Sequence, residues 1–325
     1  MRRRRVGRTK VEVTELGFGG VAIGNFNVSV DEQDASEAID AAWNAGVRYF
    51  DTAPHYGLGL SERRLGVALS GRRREDYAIS TKVGRRLVAN PFPTGSDLSS
   101  GGFVVPDDML RVRDYSRGGI RCSLEGSIER LRVDFVDIAF VHDPDDFLDE
   151  TISQAIPALV ELRDAGAIRA VGVGMNSWEP LMRIVIETDV DVVMLAGRWT
   201  LLDRSGAPLL AECLRRGIAV IAAAPFNSGL LAHSWPPDGA SFNYAEAPLS
   251  VLNRARILAR ICESHGISLP HAAVLFALRH PAVVGVVAGV RSAVEARNAA
   301  SWAASPIPDD VWEDLSQEGT SDSRD

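Results

Sequence analysis

The chain has 325 residues, 46% hydrophobic and 24% charged, an ordinary balance for a globular protein with a substantial buried core. A formal net charge of −8 argues against nucleic acid or an anionic membrane surface as partner, and no apolar run reaches the roughly 18 residues of a membrane helix. Three scattered cysteines, Cys122, Cys213 and Cys262, exclude a disulfide framework, lack metal spacing and suit a reducing cytoplasm, each as a small apolar side chain.

The opening "MRRRR" has no apolar segment behind it and is read as a solvated strand rather than an export signal. "RRRVGRTKVEV" then predicts a hairpin turning near Gly7-Arg8. Eight apolar, β-branched runs follow in chain order, at 14–20, 48–53, 77–82, 135–142, 168–174, 190–195, 218–224 and 282–289. Helical segments alternate with them near 31–45, 59–69, 117–131, 151–165, 178–187, 207–216, 249–278 and 292–303, the seventh broken at Gly266 to Pro270. The strands are continuous apolar runs, as parallel strands buried on both faces require. Eight strand–helix units predict an α/β fold of the (β/α)8 TIM-barrel type. An open doubly wound sheet would carry a Gly-x-Gly-x-x-Gly turn after its first strand, and "LGFGGVAIG" does not meet that spacing. A Pro/Gly/Ser-rich segment over 83–116, after the third strand, reads as a long functional or disordered loop. Residues 1–312 are expected to form one domain and 313–325 an unstructured tail.

In such a barrel, chemistry collects at the C-terminal ends of the strands. There the sequence sets Asp51 with Tyr56 just beyond it, Lys82, His142 and Asn176. Each has an ordinary structural reading alone: a turn cap, a solvated strand end, a satisfied core histidine. Together they describe a tuned acid–base. A lysine ammonium stabilises a phenolate, an aspartate holds the lysine, and a histidine orients the substrate oxygen. No side chain carries a hydride, so a nicotinamide is implied. "HDPDD" invites a metal reading of His142 with Asp143, Asp145 and Asp146, but successive acids after a strand suit a helix start, and no second histidine is spaced for zinc.

"YFDTAPHYGLGLSERRLG", "ISTKVG", "DFVDIAFVHDPD", "GVGMNSWEP" and "PFNSGLL" together resemble the aldo-keto reductase superfamily, in a match that spans roughly residues 10 to 302. The resemblance implies Tyr56 as proton donor or acceptor, Lys82 and Asp51 as its tuning pair, and His142 as the partner that orients substrate. It implies NADP or NAD bound at Gly20, Val21 and Asn176 and along Phe226, Asn227, Ser228, Gly229 and Leu231, whose backbone N–H groups would meet the pyrophosphate. The adenosine end would lie at Gly289, Arg291, Ser292, Glu295 and Asn298, with Arg291 toward a 2′-phosphate. Two positions depart from the pattern: Ala196 where a carboxamide-binding glutamine is usual, and Ala223 or Ala224 where an aromatic ring stacks on the nicotinamide. Phe226 or Trp199 is then the candidate to take over that stacking. "GLGLSE", "LAGRWTLLD" and "PFNSGLLA" narrow the resemblance to the aldose 1-dehydrogenases, with L-fucose (D-threo-aldose), L-galactose and pyridoxal 4-dehydrogenases among them. The implied reaction oxidises a cyclic hemiacetal to a lactone. A general NADPH-dependent carbonyl reductase and a non-catalytic nucleotide-sensing subunit are the alternatives. The expected partner is a small molecule, bound by a monomer or weak homo-oligomer. Its pocket is expected to include His55, Trp199 and Trp235, walled by Phe92, Phe103 and Tyr115 of the 83–116 segment and by Phe242 and Tyr244.

Overall fold

The computed structural model describes residues 1–319. Its strands are β1 (Arg3–Arg5), β2 (Glu12–Thr14), β3 (Leu16–Gly19), β4 (Tyr49–Asp51), β5 (Ala78–Val83), β6 (Arg85–Ala89) and β7 (Met109–Arg113). They continue with β8 (Val136–His142), β9 (Ile168–Met175), β10 (Val192–Ala196), β11 (Ala219–Ala223), β12 (Ser241–Phe242), β13 (Ala245–Glu246) and β14 (Val283–Gly289). The helices are α1 (Glu32–Asn44), α2 (Leu60–Leu69), α3 (Leu98–Gly101), α4 (Arg117–Leu131), α5 (Leu148–Glu150) and α6 (Ile156–Asp164). After these come α7 (Trp178–Glu187), α8 (Ala207–Arg216), α9 (Leu249–Ser264), α10 (Leu269–Ala277), α11 (Ala293–Ala304) and α12 (Asp309–Gly319).

Among the described residues, eight strands close into one parallel barrel in the order β3, β4, β5, β8, β9, β10, β11, β14, the order of the chain. The expected (β/α)8 barrel is therefore present. Alternation along each strand divides the apolar side chains between two layers. Tyr49, Ile138, Phe140, Val192, Met194 and Ile221 fill the interior. Their neighbours Phe50, Ile79, Val141 and Val193 face the helices. The β1–β2 hairpin supplies Val6, Val11 and Val13 to the interior cluster, so it plugs the bottom. Its turn at Gly7 needs the left-handed φ of +51°, and a Cβ there would come within 2.6 Å of the Asp191 carbonyl at the start of β10.

Two expectations change. The segment after β5 is not a plain loop: β6 and β7 pair antiparallel from Arg85↔Arg113 to Ala89↔Met109, forming a ribbon that rises from the barrel rim. The tail expected from residue 313 begins inside α12, where Val311, Trp312 and Leu315 are buried against the α9–α10 layer. Residues 320–325 lie outside the described residues.

Candidate active site

Adjacent strands β4, β5 and β8 end at the same mouth. Their two-residue period turns Asp51 inward above Tyr49, Lys82 above Ser80 and His142 above Phe140. Lys82 Nζ donates to Asp51 Oδ2 at 2.7 Å and to the Thr52 carbonyl at 3.0 Å. The Ser80 hydroxyl donates to the other carboxylate oxygen, Asp51 Oδ1, at 2.7 Å. With that proton committed, the Tyr49 hydroxyl must be the donor in its 3.0 Å bond to Ser80 Oγ. Both oxygens of Asp51 thus accept fixed donors, and the carboxylate is locked from the barrel interior. Tyr56 lies in the turn beyond β4, its ring centroid 4.7 Å from Lys82 Nζ and 6.0 Å from the His142 ring, which it meets edge-on.

The electrostatics differ from the sequence expectation at one group. Burial pushes the Tyr56 phenol above its ordinary value of 10, and Lys82, which pulls the other way, does not overcome it. The phenol of the free protein is neutral at pH 7, not unusually acidic. Burial also works against the Lys82 ammonium, but Asp51 and then Tyr56 outweigh it and hold it above its ordinary value. Burial, reinforced by Arg85, Lys82, His55 and Arg111, keeps His142 far below the usual imidazole range, hence neutral.

His55 joins these residues; Trp199 and Trp235 do not. The His55 ring lies 5.7 Å from His142 and 5.3 Å from Phe103. Trp199 is packed on α10, its ring 5.3 Å from Phe276 and its indole N–H bonded to the Ala277 carbonyl. Trp235 sits over α9 between Arg256 and Arg260. Phe226 packs edge-on against Trp302 of α11. Both rings offered as replacements for the missing nicotinamide-stacking aromatic are therefore engaged with the helical layer. Of the expected walls, Phe92 is 84% exposed, whereas Tyr115 is buried with its hydroxyl on the His142 carbonyl at 2.7 Å. Phe103 is buried too, reaching the site from the ribbon.

Several participants escaped the sequence reading. Ser80 was findable, two residues before Lys82 on the same strand face. Arg85 and Arg111 gave no signal, because their positions depend on the ribbon. Arg85 pairs with Asp143 at 2.6 Å, and Arg111 grips Asp97 through both arms at 2.6 Å while donating to the His55 carbonyl at 3.0 Å.

The remaining expected residues ring the mouth. Gly20 follows β3, its amide donating to the Asp51 carbonyl at 2.8 Å, and a Cβ there would approach the Ser61 hydroxyl to 2.5 Å; Val21 comes next. Asn176 follows β9, half-buried, its carboxamide without a hydrogen-bond partner among the described residues. The loop after β11 turns tightly, with Ala224, Asn227 and Ser228 at positive φ. Within it the amides of Asn227, Gly229 and Leu231 donate to Ala224 or Phe226, so they are not free for a pyrophosphate in this state. Asn227 is buried with its Oδ1 unpartnered. At the end of β14, Gly289 pairs in register with Gly19. Ser292 caps α11 by accepting from the Glu295 amide, while Glu295 accepts the Arg291 amide at 2.9 Å; Arg291, Glu295 and Asn298 are exposed.

Comparisons with known proteins agree with this fold. The model of the aldo/keto reductase family matches residues 15–318. The chain is 40% identical to a D-threo-aldose 1-dehydrogenase of a Pseudomonas species, over 94% of each chain. It is 36% identical to the pyridoxal 4-dehydrogenase of Microbacterium luteolum, covering 98% of this chain and 97% of that one. Among solved structures, an aldo-keto reductase from Bacillus halodurans superimposes with a TM-score of 0.79 at 26% identity, covering 98% of this chain and 96% of that one. With sequence, fold and relatives in agreement, the chain belongs to the aldo/keto reductase family and is an oxidoreductase.

Proposed function

We propose that this oxidoreductase is an NAD(P)-dependent aldose dehydrogenase, oxidising a cyclic hemiacetal to its lactone. One observation carries the reading: a phenol, an ammonium–carboxylate pair and a neutral imidazole converge on one barrel mouth, in a chain 40% identical to a D-threo-aldose 1-dehydrogenase. The residues fit a nicotinamide. The unpartnered Asn176 carboxamide suits an amide ligand, and the buried, orphaned Asn227 Oδ1 calls for a donor. Alanines at 196, 223 and 224 leave room beside them. When bound, that cofactor accepts the hydride.

The chain's own groups handle the proton. Tyr56 takes it from the anomeric hydroxyl, and Lys82 stabilises the phenolate that must exist before transfer. Asp51 keeps the ammonium in place but moves no proton, since both its oxygens already accept fixed hydrogen bonds. His142, neutral, donates to the substrate oxygen and orients it. In the reverse sense the neutral phenol donates to a carbonyl oxygen, so the same mouth serves reduction by microscopic reversibility.

The test is absorbance at 340 nm with NAD+ and NADP+ across L-fucose, L-galactose and pyridoxal, set beside reduction of aromatic aldehydes with NADPH. Sugar oxidation absent in Tyr56→Phe, with cofactor binding intact, is the expected result. Turnover of aldehydes alone would favour a general carbonyl reductase, and cofactor binding without any turnover a sensor.

A further inference from the structure

Two imidazoles, not one, face the reacting phenol. The rings of His55, Tyr56 and His142 form a near-equilateral triangle at the mouth, with centroid separations of 5.7, 6.0 and 6.1 Å. Phe103 closes one side, edge-on to His55 and 6.3 Å from Tyr56. His55 is held at both ends, its ring by Phe103 and its carbonyl by Arg111, which Asp97 fixes in turn. In both imidazoles Nδ1 is buried without a hydrogen-bond partner. Nε2 of each ring has no hydrogen bond among the described residues either but is not sealed, so it is the nitrogen that a ligand in the mouth meets.

Charge decides what kind of ligand. The cations around the triangle are already matched: Lys82 by Asp51 at 2.7 Å, Arg85 by Asp143 at 2.6 Å and Arg111 by Asp97 at 2.6 Å. None is left to meet a phosphate or a carboxylate. Burial, together with Arg111, Arg85 and Lys82, brings His55 down to about 3, so it is neutral like His142. The Nε2 of a neutral imidazole is a donor or an acceptor according to the tautomer, and a hydroxyl can answer either.

We infer that His55 is a specificity-determining residue that hydrogen-bonds the hydroxyl next to the reacting carbon of a neutral polyhydroxylated substrate. Tyr56 and His142 meet the oxygen on the reacting carbon itself, and the triangle places the adjacent hydroxyl against His55. The inference rests on the aldose reading above and adds to it which hydroxyl is recognised and by what.

The test compares kcat/KM for L-fucose and 2-deoxy-L-fucose in the full-length wild type and in His55→Phe, with the nicotinamide that gives the faster rate. The wild type should prefer L-fucose by about tenfold or more, the worth of a hydrogen bond to a buried polar group. His55→Phe retains a ring against Phe103 but removes the nitrogens, and should bring the ratio close to one, mainly through loss on L-fucose. His55→Ala carries the same comparison if the phenylalanine variant does not fold, as judged by cofactor binding. A variant that keeps the wild-type ratio, or that loses both sugars in equal proportion, overturns the inference. Failure of the aldose reading looks different: wild-type enzyme that reduces aldehydes yet oxidises neither sugar, seen before any variant is made, removes both.

Discussion

Tyr56 is pulled in opposite directions, by burial toward the neutral phenol and by Lys82 toward the phenolate, and burial wins in the free protein. The direction has a kinetic consequence. Oxidation of a hemiacetal needs a base, whereas reduction of a carbonyl needs an acid. With the phenol above 10, only a small fraction is phenolate at pH 7, and that fraction grows roughly tenfold per pH unit below the phenol's own value. The expected kcat/KM for oxidation therefore climbs through pH 7 to 9 without reaching a plateau, while reduction stays flat or falls. His142, held neutral far below the usual imidazole range, adds no limb near pH 6.5. A pH–rate profile in both directions checks this, and an oxidation rate that levels off by pH 8 would mean that Lys82 outweighs burial. The identity of the four converging residues was legible because Asp51, Lys82 and His142 each stand at the end of an apolar run and Tyr56 lies in the turn just beyond one. Their electrostatic balance was not, because burial depends on how neighbouring strands and the ribbon close around the phenol.

At the scale of elements, the barrel strands announced themselves and the ribbon did not. A run such as "FVDIAFVH" has to be buried on both faces, and it became β8 within a residue of its expected bounds. "RRLVA" carries charges on both faces and "MLRVR" has two arginines on one, so both look like loop, yet they pair as β6 and β7, where Arg85 finds Asp143 beyond β8 and Arg111 finds Asp97. The places of Trp199 and Trp235 were not legible either: a tryptophan in a loop beyond a strand can turn to the mouth or back to the helices, and the packing of α9 and α10 decides. The ribbon's dependence on a latch can be tested with Asp97→Ala. Arg111 would lose both 2.6 Å bonds and with them its fixed grip on the His55 carbonyl. Hydrogen exchange over 85–113 should quicken and KM for the aldose rise, while barrel strands keep their protection. Unchanged exchange in the ribbon would show that Phe103 and the β6–β7 ladder hold it unaided.

Over the whole molecule, three apolar assemblies divide the labour: the barrel interior plugged by Val6, Val11 and Val13, the sheet–helix layer, and a third body around α9, α10 and α12. The third reaches the mouth along the loop after β11, whose Leu230 and Leu231 are buried in it, and is bridged to the barrel layer by the rings of Trp199 and Phe226. Trp312 is a principal member, buried beside Phe276 and capped by the Arg279 guanidinium 4.6 Å from its ring. The polar stretch around it hid this helix, although Val311, Trp312 and Leu315 share the spacing of a helix face. Removing the indole should cost about 3–5 kcal/mol, the range for a large buried aromatic replaced by alanine. Because neither Asp51, Tyr56, Lys82 nor His142 touches this body, Trp312→Ala should lower the midpoint of thermal unfolding by several degrees yet leave kcat/KM at 25 °C near wild type. A parallel loss of activity in protein that is still folded would mean that the α9–α12 body sets the geometry of the mouth, with Trp199 and Phe226 as the connection.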